Sequence, residues 1–155
     1  MTRSSKFSLF LLILLLWGCD SNRVFEEDTS FTKKQWHMDH MPAFEFEIED
    51  AAAKNVVLKF RSDLEYPYQN IYITYFLMDA QGNELESKLV NIPLFDEISG
   101  KPLGEGNSVY QYAQEIMSGY QFPGSGKYSI KLAQYMRSET LNGVYSVGIR
   151  VENVE

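Results

Sequence analysis

Four things are scarce in this sequence, and each scarcity excludes something. Cysteine occurs once, at Cys19, which rules out an internal disulfide and a zinc site built from several thiolates. Basic residues are outnumbered, 14 Lys and Arg against 21 Asp and Glu, giving a net charge of −7. A nucleic-acid partner is therefore not expected, because phosphate binding needs a basic surface. Histidine occurs only at positions 37 and 40, and no H-E-x-x-H metal motif is present. Long hydrophobic runs are limited to one, Phe7–Trp17, broken only by Ser8. At about 1.5 Å per residue it is too short to span a bilayer core of about 30 Å as a stable helix. What is plentiful argues against disorder: the chain is 45% hydrophobic, with 10 Phe, 10 Tyr and 2 Trp. Its 155 residues allow one ordinary domain.

The position of the lone cysteine is informative. Arg3 and Lys6 form a basic start, and the apolar run that follows has the length of a signal-peptide core. It ends in Leu16-Trp17-Gly18-Cys19, which resembles the lipobox of bacterial lipoproteins, although Trp17 is bulkier than the residue usual there. The resemblance implies cleavage before Cys19, a diacylglycerol on its thiol and an acyl chain on its new amine. Residues 1–18 would then be a signal peptide and Cys19 the lipidation site. Several acyl chains, at about 0.8 kcal/mol per buried CH₂, hold a protein firmly where one chain does not. Losing Arg3 and Lys6 makes the mature chain more acidic still, so lipid rather than charge must do the anchoring.

Residues 19–35 read as a polar, lipid-anchored tether with isolated Phe25 and Phe31, and 36–155 as the folded domain. Within the domain the dominant period is two. Phe44, Phe46 and Ile48 alternate with Glu45, Glu47 and Glu49, and Val56, Leu58 and Phe60 continue the pattern. Asn70–Asp79 is apolar on both faces, as a central strand would be. Ala80-Gln81-Gly82-Asn83 turns the chain into a return strand over Glu84–Asn91. Tyr128, Ile130 and Leu132 begin a strand that could continue through Tyr135-Met136-Arg137, and Tyr145, Val147, Ile149 and Val151 give the last. Tyr110–Met117 is the one weak helix candidate. The expected fold is all-β, an antiparallel β-sandwich of about six to eight strands.

No motif for catalysis stands out. His37, Asp39 and His40 would converge on a metal only in a turn, and no second cysteine completes a tetrahedral set. Asp63 with Glu65, and Asp96 with Glu97, are acid pairs of the kind glycoside hydrolysis uses, and they are also what the loops of an acidic protein carry. Ser125 lies in Gly-Ser-Gly, not in a nucleophile elbow. Gly104-Glu105-Gly106 lacks the third glycine and basic residue of a phosphate loop. The reading is of a non-enzyme with no catalytic residue, metal or cofactor. The remaining signal is aromatic: Tyr66, Tyr68, Tyr110 and Tyr112 lie in or near loops and are candidate contacts for a protein partner or a glycan. Arg61 and Arg137 are expected to pair with the excess acid.

These pieces occur in a recognisable order. The lipobox leads into Cys19-Asp20-Ser21-Asn22-Arg23-Val24-Phe25. Trp36, Phe44-Glu45-Phe46, Arg61 and Tyr66-Pro67-Tyr68-Gln69-Asn70 follow. Then come Leu103-Gly104-Glu105-Gly106, Phe122-Pro123, Gly126-Lys127-Tyr128, Gln134-Tyr135-Met136-Arg137, Leu141-Asn142-Gly143-Val144 and Val147-Gly148-Ile149-Arg150-Val151. The chain thus resembles the gliding-motility lipoprotein H (GldH) family of Bacteroidota over nearly its whole length. The resemblance implies a cell-envelope lipoprotein, in the outer rather than the inner membrane, with a membrane-facing lipid on Cys19. It also implies an accessory role in surface gliding, in a system linked to type IX secretion, with other envelope proteins of that machinery as partners. A glycan-binding surface lipoprotein is the alternative.

Overall fold

The computed structural model describes residues 22–154. The signal segment 1–18 and the lipidation expected at Cys19 fall outside them. The described chain is all-β. Its strands are β1 (Arg23–Ser30), β2 (Gln35–His37), β3 (Ala43–Ile48), β4 (Lys54–Ser62), β5 (Asn70–Asp79), β6 (Glu84–Pro93), β7 (Glu105–Gly106), β8 (Tyr110–Tyr120), β9 (Gly126–Gln134), β10 (Thr140–Asn142) and β11 (Val144–Asn153). All pair antiparallel. A five-stranded sheet has the order β1-β11-β4-β8-β7, a four-stranded sheet the order β3-β9-β5-β6, and β10 pairs with β2.

The period-two pattern becomes the core. Phe44, Phe46 and Ile48 on β3, Leu58 and Phe60 on β4, Ile71, Ile73, Tyr75 and Leu77 on β5, and Val147, Ile149 and Val151 on β11 belong to one buried cluster shared by the two larger sheets. Each fully buried aliphatic or Phe side chain contributes about 1.5–3 kcal/mol relative to exposure. β2 and β10 close one end over Trp36, which is wholly buried, stacks on Phe31 at 5.2 Å and donates its indole N–H to the His40 carbonyl at 2.8 Å.

The sheets share two ends. At the first, Arg23 pairs with Glu152, Lys54 with Asn153 and Ile48 with Gly126; Phe25 meets Phe46 at 5.6 Å across the sheets there. At the second lie Ser30, Ser62, Asn70 and Gln134, at the opposite termini of β1, β4, β5 and β9. At about 3.3 Å per residue, the nine residues of β9 set these ends roughly 27 Å apart.

Four sequence expectations need correction. The tether ends earlier than residue 35: Arg23–Ser30 is a strand, and Phe31 and Trp36 are core. The weak helix is β8; its alternation breaks where Val56 opposes Met117 and Val57 opposes Glu115, leaving Ile116 as an extra bulge residue that obscures the period. β9 does not run on through Tyr135-Met136-Arg137. The Gln134 side chain takes over the ladder there, accepting from the Met136 N–H at 2.9 Å and donating to the Ser138 carbonyl at 2.9 Å. The eleven strands exceed the expected six to eight because β1, β8 and three very short strands escape the alternation rule.

A candidate binding groove

The turn that Gln134 holds shapes an apolar concavity. A groove of about 540 Å³ is lined by Tyr68, Tyr72, Leu89, Tyr135, Met136 and Arg137. Tyr72 is on the outer face of β5 and Leu89 on the adjoining edge strand β6. Tyr135 follows β9 and is tied down by its N–H donating to the Tyr72 carbonyl at 2.8 Å. The Tyr72 N–H faces the Met136 sulfur at 3.3 Å. Tyr68 is half-buried, and its hydroxyl is engaged with that of Ser138. Tyr135 is 68% exposed, Leu89 46% and Tyr72 38%, so the groove presents apolar surface to solvent. Arg137 is exposed at the rim. Among the described residues no carboxylate lies within ion-pair distance of it or of Arg61, so the pairing expected for both arginines is not made.

The four tyrosines singled out from the sequence do not share a surface. Tyr66 is buried, packs edge-on against Phe60 at 5.8 Å and donates to the Asn70 carbonyl at 3.0 Å. Its burial pushes the phenol well above its ordinary value. Tyr112 is also buried, against Phe60 and beneath Gly104. Both belong to the buried core. Tyr110 lies on β8 of the other sheet and donates to the Asn107 carbonyl at 2.9 Å. Only Tyr68 reaches the groove. Sequence reasoning missed Tyr72, Leu89, Tyr135 and Met136 as site residues; the signal was the apolar outer face of β5, taken for central-strand burial.

The other polar constellations serve the fold. Asp63 accepts from Lys34 Nζ at 2.9 Å and from the Glu65 N–H at 2.9 Å. Burial pushes its carboxyl up, but these donors outweigh burial and hold it below its ordinary value. Asp96 accepts from the N–H groups of Ile98 and Ser99 in a turn. His37 Nδ1 accepts from the Asp39 N–H at 3.2 Å, while the His40 ring lies edge-on to Phe31. No group of three metal-ligating side chains converges among the described residues. On the outer face of the five-stranded sheet, Lys59 reaches across Gly148 to Asp28 and Glu26, each at 2.6 Å. Burial lowers the Lys59 pKa, yet the two carboxylates outweigh it and raise the pKa overall, while the Lys59 hydrogen bond holds Glu26 below its ordinary value.

An all-β domain with an apolar, tyrosine-lined groove and a free guanidinium at its rim is equipped for non-covalent binding. The GldH lipoprotein family model matches residues 23–151, and the chain belongs to that family. It is 28% identical over 162 residues to a gliding motility lipoprotein GldH homolog of Christiangramia forsetii, covering 96% of each chain. It is 27% identical over 161 residues to the gliding motility lipoprotein GldH of Flavobacterium johnsoniae, covering 93% of each. Among solved structures, the VP2 subviral particle of infectious bursal disease virus matches with a TM-score of 0.47 and 11% identity, over 86% of this chain and 33% of that one; a likeness that distant carries no argument. The family makes this a membrane-anchored lipoprotein of the cell envelope, of a kind implicated in gliding motility.

Proposed function

We propose that the protein is a non-enzymatic accessory component of the gliding machinery, anchored through lipid on Cys19 in the outer membrane and acting alongside type IX secretion. In this reading the two larger sheets form a β-sandwich that serves as a rigid post rather than a catalyst. The observation that carries it is the family match across residues 23–151, which takes in the whole fold and not one motif. Two residues, Asp20 and Ser21, separate Cys19 from Asn22, where the described chain begins. At no more than about 3.6 Å each they hold the first end of the domain close to the membrane. A glycan-binding surface lipoprotein is the second reading, favoured by the exposed rings of Tyr72 and Tyr135.

The test is deletion in a gliding host, followed by re-expression of the wild type or of Cys19→Ala. Deletion is expected to stop or slow single-cell movement, and the wild type to restore it. Cys19→Ala is expected to leave the membrane fraction and fail to restore movement. Unchanged movement after deletion removes the motility role, and a Cys19→Ala protein that still fractionates with membrane removes the lipid anchor.

A further inference from the structure

We propose that the groove of Tyr68, Tyr72, Leu89, Tyr135, Met136 and Arg137 docks a peptide segment of another envelope protein. The segment presents an apolar side chain next to a carboxylate, the apolar group entering the groove and the carboxylate meeting Arg137. The inference rests on the envelope-lipoprotein reading above and adds the docking surface and its chemistry.

Three observations support this occupant. The first is charge: in a protein of net charge −7, Arg137 stands exposed without a carboxylate partner among the described residues. A guanidinium so placed offers a two-pronged hydrogen-bonding fork suited to a carboxylate. The second is the lining. Leu89, Met136 and the tyrosine rings supply carbon and sulfur surface, and the Tyr68 hydroxyl is already engaged with Ser138. That carbon-rich lining suits a Phe, Leu or Met side chain better than a hydroxyl-bearing sugar ring. Met in particular adapts to varied apolar shapes.

The third is position. Tyr72 follows the start of β5, and Tyr135 follows the end of β9. Both mark the second end of the domain, away from Arg23 and the segment leading back to Cys19. A surface at that end faces away from the anchoring membrane and is open to a protein standing beside or above it. The groove is also built rather than incidental: buried Gln134 fixes the turn that carries Tyr135 and Met136 through hydrogen bonds on both sides.

The experiment presents full-length lipoprotein in detergent micelles to an array of hexapeptides. The array pairs each of Phe, Tyr, Trp, Leu and Met with Glu, Asp or a free C-terminal carboxylate, at every spacing the length allows. Gln and Asn counterparts, and uronic-acid oligosaccharides, serve as competing probes. The expected result is binding to apolar-plus-carboxylate peptides that falls about tenfold or more when the acid becomes an amide, as loss of a charge-assisted pair should give. Arg137→Gln should remove that preference, and Tyr135→Ala should weaken all binding, with thermal unfolding unchanged in both. No peptide binding, a carboxylate preference that survives Arg137→Gln, or Arg137-dependent binding of the oligosaccharides instead would each overturn the proposal. A deletion strain that loses movement while the array stays blank would fail the groove and leave the motility role standing.

Discussion

Gly148 lies between Asp28 on β1 and Lys59 on β4, and the ion pair between those two passes directly over it. A methyl group there would sit 2.3 Å from Asp28 Oδ1 and 2.4 Å from the Glu27 carbonyl oxygen. The carboxylate could swing aside, but the backbone oxygen moves only if β1 moves. Gly148→Ala should therefore destabilise the domain by about 1–3 kcal/mol in urea unfolding; an unchanged midpoint would mean that β1 yields freely. Two carboxylates, one in this cluster and one paired with Lys34, set a pH response. Glu26 is held below 4.5 by the Lys59 hydrogen bond, and Asp63 is held below 3.8 against its burial by Lys34 and the Glu65 N–H. A depressed carboxylate adds stability that is full above its unfolded value and is lost as pH falls through the folded one. The domain should thus weaken on acidification below about pH 4.5, steeply through the folded values of these two groups. Lys59 has the opposite sign: its raised pKa adds stability below 10.5 that is lost as pH rises through the folded value. Lys59→Met should make the acid side of a stability–pH curve shallower by removing the donor that holds Glu26 down. A slope identical to the wild type would show that the cluster contributes no linkage.

Among the elements, β1 is the one whose standing changed most. Read as a tether it could be removed at little cost; as an edge strand paired with β11 it covers Val151 and packs Phe25 on Phe46. A chain starting at Phe31 should lose roughly 5 °C or more in thermal unfolding, since 1 kcal/mol shifts a domain of this size by about 2–8 °C. An unaltered transition would restore the tether. β1 was illegible because its run Glu26-Glu27-Asp28 is charged on both faces, as protected edge strands are, and its register slips between Arg23 and Phe25. β3, β5 and β9 were legible because each buries one face in strict alternation. β8 hid behind its bulge. The groove was illegible for another reason: β5, β6 and the turn after β9 assemble it, so that Tyr68 and Ser138 meet across 70 positions of sequence. Alternation shows that the outer face of β5 is apolar, but not whether a second layer covers it.

At the scale of the whole molecule, two ends divide the work. One end continues within three residues to the cysteine expected to carry lipid; the other bears the groove, roughly 27 Å along the strands. Shared core residues from both larger sheets join the two ends in one packed body, which on the proposed reading holds the groove away from the membrane. On the proposed reading, the acidic surface, the lipid expected on Cys19 and the Arg137 guanidinium beside the groove serve one task, that of presenting a docking site to a neighbour in the envelope. The most direct measurement is single-cell gliding speed in a gliding host whose only copy of the protein carries Arg137→Glu together with Tyr135→Ala. Its level in the membrane fraction is checked to equal the wild type. Movement is expected to fall to that of the deletion strain although the lipoprotein is present, folded and anchored. Movement at the wild-type speed would contradict the account.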